Sequence, residues 1–287
     1  MIERLCIIGV GLIGGSLARA LRAAGAVGEI VGSSRRAEHL QQALELGVID
    51  RYDTDPAAAV TGADLVFVSV PLGVMRTVFE RIRDALSEGA VLTDGGSAKA
   101  SVVADAVAAF GHVPPFFVPG HPIAGTECSG VEASFAELYR GRRVILTPLP
   151  DTDRVAVQRV RAMWQAAGAQ VDEMEVHHHD EVLAATSHLP HILAFTLVES
   201  LARFSEREQR EIFDYAAGGF RDFTRIASSD PVMWRDICLA NHDALLAMVE
   251  HFGRDLEALK TAIREQDGDR ILQIFQDAKT ARDRFAG

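Results

Sequence analysis

"IIGVGLIGG", Ile7 to Gly15, decides the fold. It carries Gly9, Gly11 and Gly14 as G-x-G-x-x-G. An apolar run, "RLCIIG" (4–9), leads into it, and "SLARALRAAG" (16–25) follows as a helix stopped at Gly25. The bare spacing is weak, but between a strand and a helix it reads as a dinucleotide-binding turn. Gly9 permits the tight turn, Gly11 lets backbone approach a pyrophosphate, and Gly14 lets helix and strand pack closely. The helix N-terminus at Leu12 and Ile13 then faces the phosphates. A glycine-rich turn that binds nothing is the competing reading, and the strand–helix context argues against it.

Working outward, strands and helices alternate. "EIVGSS" (29–34) is a second strand and "AEHLQQALELG" (37–47) a second helix. "DLVFVSVP" (64–71) is a continuous apolar run of the kind buried on both faces of a parallel sheet. "VLTDGGS" (91–97), "FFVPGHP" (116–122), "RRVILTP" (142–148) and "AQVDEM" (169–174) read as further strands. The helix before the last of these carries Val157, Val160, Trp164 and Ala167 on one face. The pattern predicts an α/β chain, with an N-terminal Rossmann-type, doubly wound, mostly parallel sheet over 1–174.

After Met174 strand patterns stop, and an all-helical domain is expected over 175–287. Apolar positions 237, 245, 248, 252, 256, 259 and 263 form one helical stripe with Asn241 as its polar member, and 270–285 forms a final helix. Long apolar helices in a small domain call for a partner face, so a homodimer is expected.

Composition excludes some functions. Against 29 Lys and Arg stand 40 Asp and Glu, a net charge of −11. Nucleic acid and anionic membranes need a basic surface, so neither is an expected partner. Cys6, Cys128 and Cys238 are far apart and signal neither a disulfide framework nor a zinc site. A reducing, cytoplasmic location is expected. The apolar N-terminus lacks the basic start of a signal peptide, and no apolar run reads as membrane-spanning.

The end of the second strand discriminates between cofactors. An acid about twenty residues past the last glycine would hold the ribose 2′-hydroxyl of NAD. The chain offers Ser33, Ser34, Arg35 and Arg36 instead. The missing acid favours NADP over NAD, although two arginines also suit a solvated helix start. Ser69, Val70 and Pro71 are expected along the ribose and nicotinamide.

"PGHPIAGTECSG" (119–130) follows a strand, and ligands of such sheets bind outside the carboxyl ends of strands. His121 is therefore the candidate base for an alcohol oxidised by hydride transfer, because an imidazole titrates near neutrality. Ser97 is its candidate hydrogen-bonding neighbour. "HHHDE" (177–181) is read as a solvated helix start rather than a metal cluster, since adjacent helical histidines diverge.

"GVGLIGGSLA", "DGGSAK", "HPIAGTECSGVEAS", "TSHLPHILAF" and "GGFRDFTRIASSDPVMWRDI" together resemble the prephenate/arogenate dehydrogenases of tyrosine biosynthesis over nearly the whole chain. The resemblance implies hydride transfer from a cyclohexadienol to NAD(P)+, with loss of carbon dioxide aromatising the ring. It implies that His121 accepts the ring hydroxyl's proton beside Ser97. Arg225 then holds a substrate carboxylate, with His191 and, less directly, His188 in the substrate pocket. Thr126 and Glu127 follow the catalytic loop, and Glu127 organises the pocket entrance or pairs with a cation. Asp222, three residues from Arg225, belongs to such a network. Trp234 is either core or interface. With no room for an added regulatory domain, tyrosine feedback is expected to act at the active site. Two rivals stand beside this reading. A β-hydroxyacid dehydrogenase would place a lysine where "TSHLPH" lies, and a non-catalytic NADP-binding sensor would need neither His121 nor Arg225.

Overall fold

In a computed structural model of the chain, residues 1–204 and 214–285 are described. The first strand, β1 (Ile2–Ile8), ends at the glycine turn, and α1 (Leu12–Ala23) leaves it. Then follow β2 (Val27–Ser33), α2 (Ala37–Glu45), β3 (Arg51–Asp53), α3 (Pro56–Val60), β4 (Leu65–Val68), α4 (Met75–Ile82), β5 (Val91–Asp94), α5 (Lys99–Phe110) and β6 (Phe117–Val118). The six strands form one sheet in the order β3-β2-β1-β4-β5-β6, and every pairing is parallel.

Side chains leave a strand on alternate faces, and both faces here are covered. Leu5 and Ile7 of β1 join Leu65 and Phe67 of β4 in one core. Cys6, Ile8, Val66 and Val68 point into the other. The first core is closed by α6 (Arg154–Ala166), whose Trp164 meets Phe67 and Tyr139 edge-on with ring centroids 5.4 and 5.0 Å apart. The order reverses between β1 and β4, so the turns after those strands face a common crevice.

One element departs from the sequence reading. "FFVPGHP" is not a single strand. Proline has no N–H to give a ladder, and the chain changes sheet at Pro119. β6 ends the main sheet, while β7 (Gly120–Pro122) starts a second one with β8 (Arg143–Leu146) and β9 (Gln170–Glu173). β7 and β8 are antiparallel, β8 and β9 parallel.

Beyond β9, α7 (Val176–Leu183), a π-helical turn (Ala184–His188) and α8 (Leu189–Ala202) run as one continuous helix of 27 residues. This corrects the expectation that no apolar run is long enough to cross a bilayer. The helix's own polar residues His179, Asp180 and His188 are buried in the chain. Then come α9 (Gly218–Thr224) and α10 (Pro231–Ala240), the latter capped by Asp230, which accepts from the N–H groups of Val232 and Met233.

The stripe read from 237 to 263 is divided between two helices, because α10 ends at Ala240 and α11 (His242–Glu265) begins beyond Asn241. The chain packs as two compact units, Met1–His242 and a second from Asp243 onward. The second consists of the body of α11 and α12 (Gly268–Phe285). Leu256, Ile263, Leu272 and Phe275 are exposed on it.

Candidate active site

The three glycines meet three different demands. Gly9 has φ +96°, and a Cβ there would sit 2.1 Å from the carbonyl oxygen of Ser69. A Cβ on Gly14 would lie 2.4 Å from the Gly9 carbonyl oxygen and 2.8 Å from Ile7. A Cβ on Gly11 would meet nothing within 4 Å. Gly9 and Gly14 are therefore fixed by the protein itself, whereas Gly11 leaves open space. Gly11 is also the N-cap of α1, and the first-turn N–H groups after it, including those of Leu12 and Ile13, lack intrahelical acceptors. An open surface lined by backbone donors at a helix N-terminus fits a pyrophosphate.

Ser69 follows β4, its N–H donating to Ile8 O at 2.7 Å, and Val70 packs toward Gly9. Pro71 is exposed. At the end of β2, Ser33 is buried and its carbonyl accepts from Gly9 N at 2.8 Å. Ser34 is half-buried, while Arg35 and Arg36 are exposed and enter no ion pair among the described residues. Asp53 of β3 stands in register with Ser33, and its Oδ1 accepts from Asp55 N.

The candidate reactive end is built around His121 on β7. Its Nδ1 lies 2.9 Å from His179 Nε2, and His179 Nδ1 lies 2.8 Å from Asp180 Oδ1. Burial opposes ionisation of Asp180, yet bonds from His179 and from the N–H groups of Lys99 and Ala100 hold its pKa below the ordinary value. An ionised Asp180 accepts the Nδ1 proton of His179. His179 Nε2 is then bare and accepts the Nδ1 proton of His121, leaving His121 Nε2 unprotonated. Burial, followed by the neighbouring His179, Lys99 and His188, drives the His121 pKa well below 6.5. Burial also lowers His179, against the pull of Asp180. The arrangement supplies a neutral imidazole with one committed and one free nitrogen.

This overturns the reading of "HHHDE" as a solvated helix start. His177 and His178 are exposed, but His179 and Asp180 are buried. The divergence of adjacent helical side chains applied to the set as a whole; it left one pair turned inward. The signal in the sequence was a histidine–aspartate pair opening an otherwise apolar helix. Among the described residues no group of three metal-ligating side chains converges.

Asp180 also anchors the start of α5, accepting from Lys99 N at 2.7 Å and Ala100 N at 2.9 Å. Lys99 itself is fully buried, with Nζ 2.5 Å from Asp94 Oδ2 and 2.6 Å from the Gly120 carbonyl oxygen. Ser97 is half-buried on the same turn.

The remaining predicted residues fall into two groups. Arg225 forms an ion pair with Glu127, so Glu127 meets a cation. Thr126 is exposed, and its Oγ1 accepts from Cys128 N at 3.2 Å. Asp222 is exposed and joins no ion pair among the described residues.

In the second group, His191 stacks on Trp234 with centroids 3.7 Å apart and planes 20° apart. Trp234 is buried within the chain. His188 lies beside it, edge-on at 6.1 Å, and its Nδ1 is 3.1 Å from Asn241 Nδ2. Burial holds the pKa of His188 at about 4. The π-helical turn that carries His188 is the kind of local widening that often marks a functional site.

Comparisons with known proteins identify the family. A family described as "Prephenate dehydrogenase, nucleotide-binding domain" matches residues 17–173, and "Prephenate dehydrogenase, dimerization domain" matches residues 175–277. Cyclohexadienyl dehydrogenase of Zymomonas mobilis is 40% identical over 98% of this chain and 95% of its own. Prephenate dehydrogenase of Bacillus subtilis is 36% identical over 99% of this chain and 76% of its own. The crystal structure of prephenate dehydrogenase from A. aeolicus, in complex with hydroxyphenyl propionate and NAD+, superposes with a TM-score of 0.91. It is 39% identical and covers 99% of this chain and 98% of that one.

Proposed function

The chain belongs to the prephenate dehydrogenase family, and from that premise we propose that it carries out the oxidative decarboxylation of prephenate, or of arogenate, with an NAD(P)+ cofactor. The observation that carries the proposal is the Asp180–His179–His121 chain. Such a chain fixes the tautomer of a base and leaves Nε2 free to accept a hydroxyl proton.

When bound, the dinucleotide supplies the hydride acceptor. Gly11 and the first-turn N–H groups of Leu12 and Ile13 would hold its pyrophosphate on a turn shaped by Gly9 and Gly14, and Ser69, Val70 and Pro71 would line its ribose and nicotinamide end. Arg35 and Arg36, with Ser33 and Ser34, support a 2′-phosphate and hence NADP+. NAD+, present in the A. aeolicus complex, is the second reading.

His121 takes the proton of the ring hydroxyl, and Ser97 hydrogen-bonds the same oxygen. Arg225 grips a substrate carboxylate, for which a planar guanidinium is suited. His191 and His188 shape the ring pocket, with Thr126, Glu127 and Asp222 at its entrance. We place the functional division at 174/175, and the helical part as the face of a homodimer acting in the cytoplasm. The exposed apolar residues of α8, α11 and α12 support that assignment.

The test is direct. Purified protein is given prephenate, arogenate or a simple 3-hydroxy acid, each with NAD+ or NADP+, and the absorbance of reduced cofactor is followed. Turnover of prephenate or arogenate is expected. Turnover of 3-hydroxy acids alone overturns the reading.

A further inference from the structure

A fully buried lysine stands behind the candidate base. Asp94 closes β5 and Lys99 opens α5. Between them they hold both polar groups of one residue, Gly120. Asp94 Oδ1 accepts from Gly120 N at 3.1 Å, and Lys99 Nζ donates to the Gly120 carbonyl oxygen at 2.6 Å. Asp94 Oδ2 is shared between Gly96 N at 2.7 Å and Lys99 Nζ at 2.5 Å. The residue after Gly120 is His121. Its backbone is thus tied to the Asp94–Lys99 pair, while its ring is tied through His179 to Asp180, which anchors the backbone of Lys99.

We propose that Lys99 is a positioning residue for the reaction: with Asp94 it clamps the Gly120 peptides and so sets where the His121 imidazole stands. The inference rests on the role given to His121. An uncharged side chain at 99 would leave the Gly120 carbonyl without its donor and Asp94 without its counter-ion. A buried ion pair that serves only structure is often replaceable by apolar residues, whereas removing one partner alone is costly. Here both of its bonds are spent on the strand start that carries the base.

The field acts in the same direction as the geometry. The groups acting on His121 are His179 from α7, Lys99 from α5 and His188 from the π-helical turn, while Asp180, Lys99 and Asp94 act on His179 behind it. Burial lowers the Lys99 pKa, but Asp94 and Asp180 oppose that fall. Asp94, 2.5 Å away, favours the charged amine. A cation beside an imidazole keeps it neutral, which is the state a base requires.

The experiment compares wild type, Lys99→Met, the double variant Asp94→Asn/Lys99→Met, and His121→Asn. For each, kcat, KM and the pH profile of kcat/KM are measured with prephenate, and the His121 ring is titrated by NMR with the dinucleotide bound. In Lys99→Met, kcat is expected to fall about 10–100-fold with KM little changed. The His121 titration and the acid limb of kcat/KM are expected to move up by about one pH unit. If Lys99→Met does not fold, the double variant, which removes the pair without stranding a charge, carries the test through the same loss of kcat. A folded variant with wild-type kcat and an unmoved His121 titration overturns the assignment of Lys99. Full activity in His121→Asn overturns the role of His121 instead, and the NMR titration still reports whether Lys99 acts on that ring.

Discussion

His179 Nε2 lies 2.9 Å from His121 Nδ1, and the same imidazole reaches Asp180 through its other nitrogen. One histidine thus spends both ring nitrogens on orienting another. The consequence is a pH dependence with a definite sign. His121 and His179 both titrate below 6.5 because burial disfavours their cations. With His121 as the base, kcat/KM is expected to hold as the pH falls through the ordinary histidine range and to decline only below it.

Asp180→Asn removes the acceptor that fixes the tautomer of His179. The amide also weakens the anchor of α5, so both kcat and thermal stability respond. A fall in kcat of about 10²–10⁴-fold is expected, by analogy with other carboxylate–histidine pairs. Rates measured at saturating substrate check it; a loss confined to KM would contradict the relay.

The glycine turn separates folding from binding. Gly9→Ala and Gly14→Ala drive a methyl into backbone oxygens at 2.1 and 2.4 Å, and Gly9 also needs positive φ. Both are expected to lower the melting temperature. Gly11→Ala meets nothing in the protein. It should melt like wild type yet bind dinucleotide at least about tenfold more weakly. Calorimetry and cofactor titration on the three variants distinguish the two effects.

What the sequence disclosed follows from how local each demand is. The fold was legible because β4 is apolar throughout, β1 is apolar from Leu5 onward, and the turn between strand and helix needs glycine at set positions. His121 was legible because it follows a strand end. Lys99 was not, since nothing in "DGGSAK" says that its lysine is buried; burial there depends on Asp94 and on the distant Gly120. His179 and Asp180 were missed for a related reason. Which of five consecutive polar residues turns inward is set by the roll of α7 against α5, a tertiary quantity. The break at Pro119 was signalled by proline itself, yet the change of sheet depends on β8 lying alongside.

His188 gives a stability prediction. Its pKa is held at about 4, against 6.5 for a free histidine. A depressed histidine contributes stability that is complete above pH 6.5 and is lost as the pH falls toward 4. The full window corresponds to about 3 kcal/mol as an upper figure. Chemical denaturation between pH 7 and pH 4 should show the decline, and His188→Gln should flatten it.

The pairing of Arg225 with Glu127 bears on substrate affinity. The guanidinium is largely exposed and already holds one carboxylate, so an incoming substrate carboxylate must displace Glu127 or share the fork with it. Removing the cation should cost the substrate its charged hydrogen bonds, worth about 1.5–3 kcal/mol. Arg225→Ala is therefore expected to raise KM for prephenate about 10–100-fold, with the KM for dinucleotide unchanged. Arg225→Lys should recover only part of the loss, because an ammonium cannot present the planar fork. Glu127→Gln frees the guanidinium from its internal partner. Exposed ion pairs are weak, up to about 1 kcal/mol, so KM should fall by no more than about fivefold. Raising the salt concentration should shrink the effect, since an exposed pair is screened. A rise in KM in Glu127→Gln would instead mean that Glu127 touches the substrate itself.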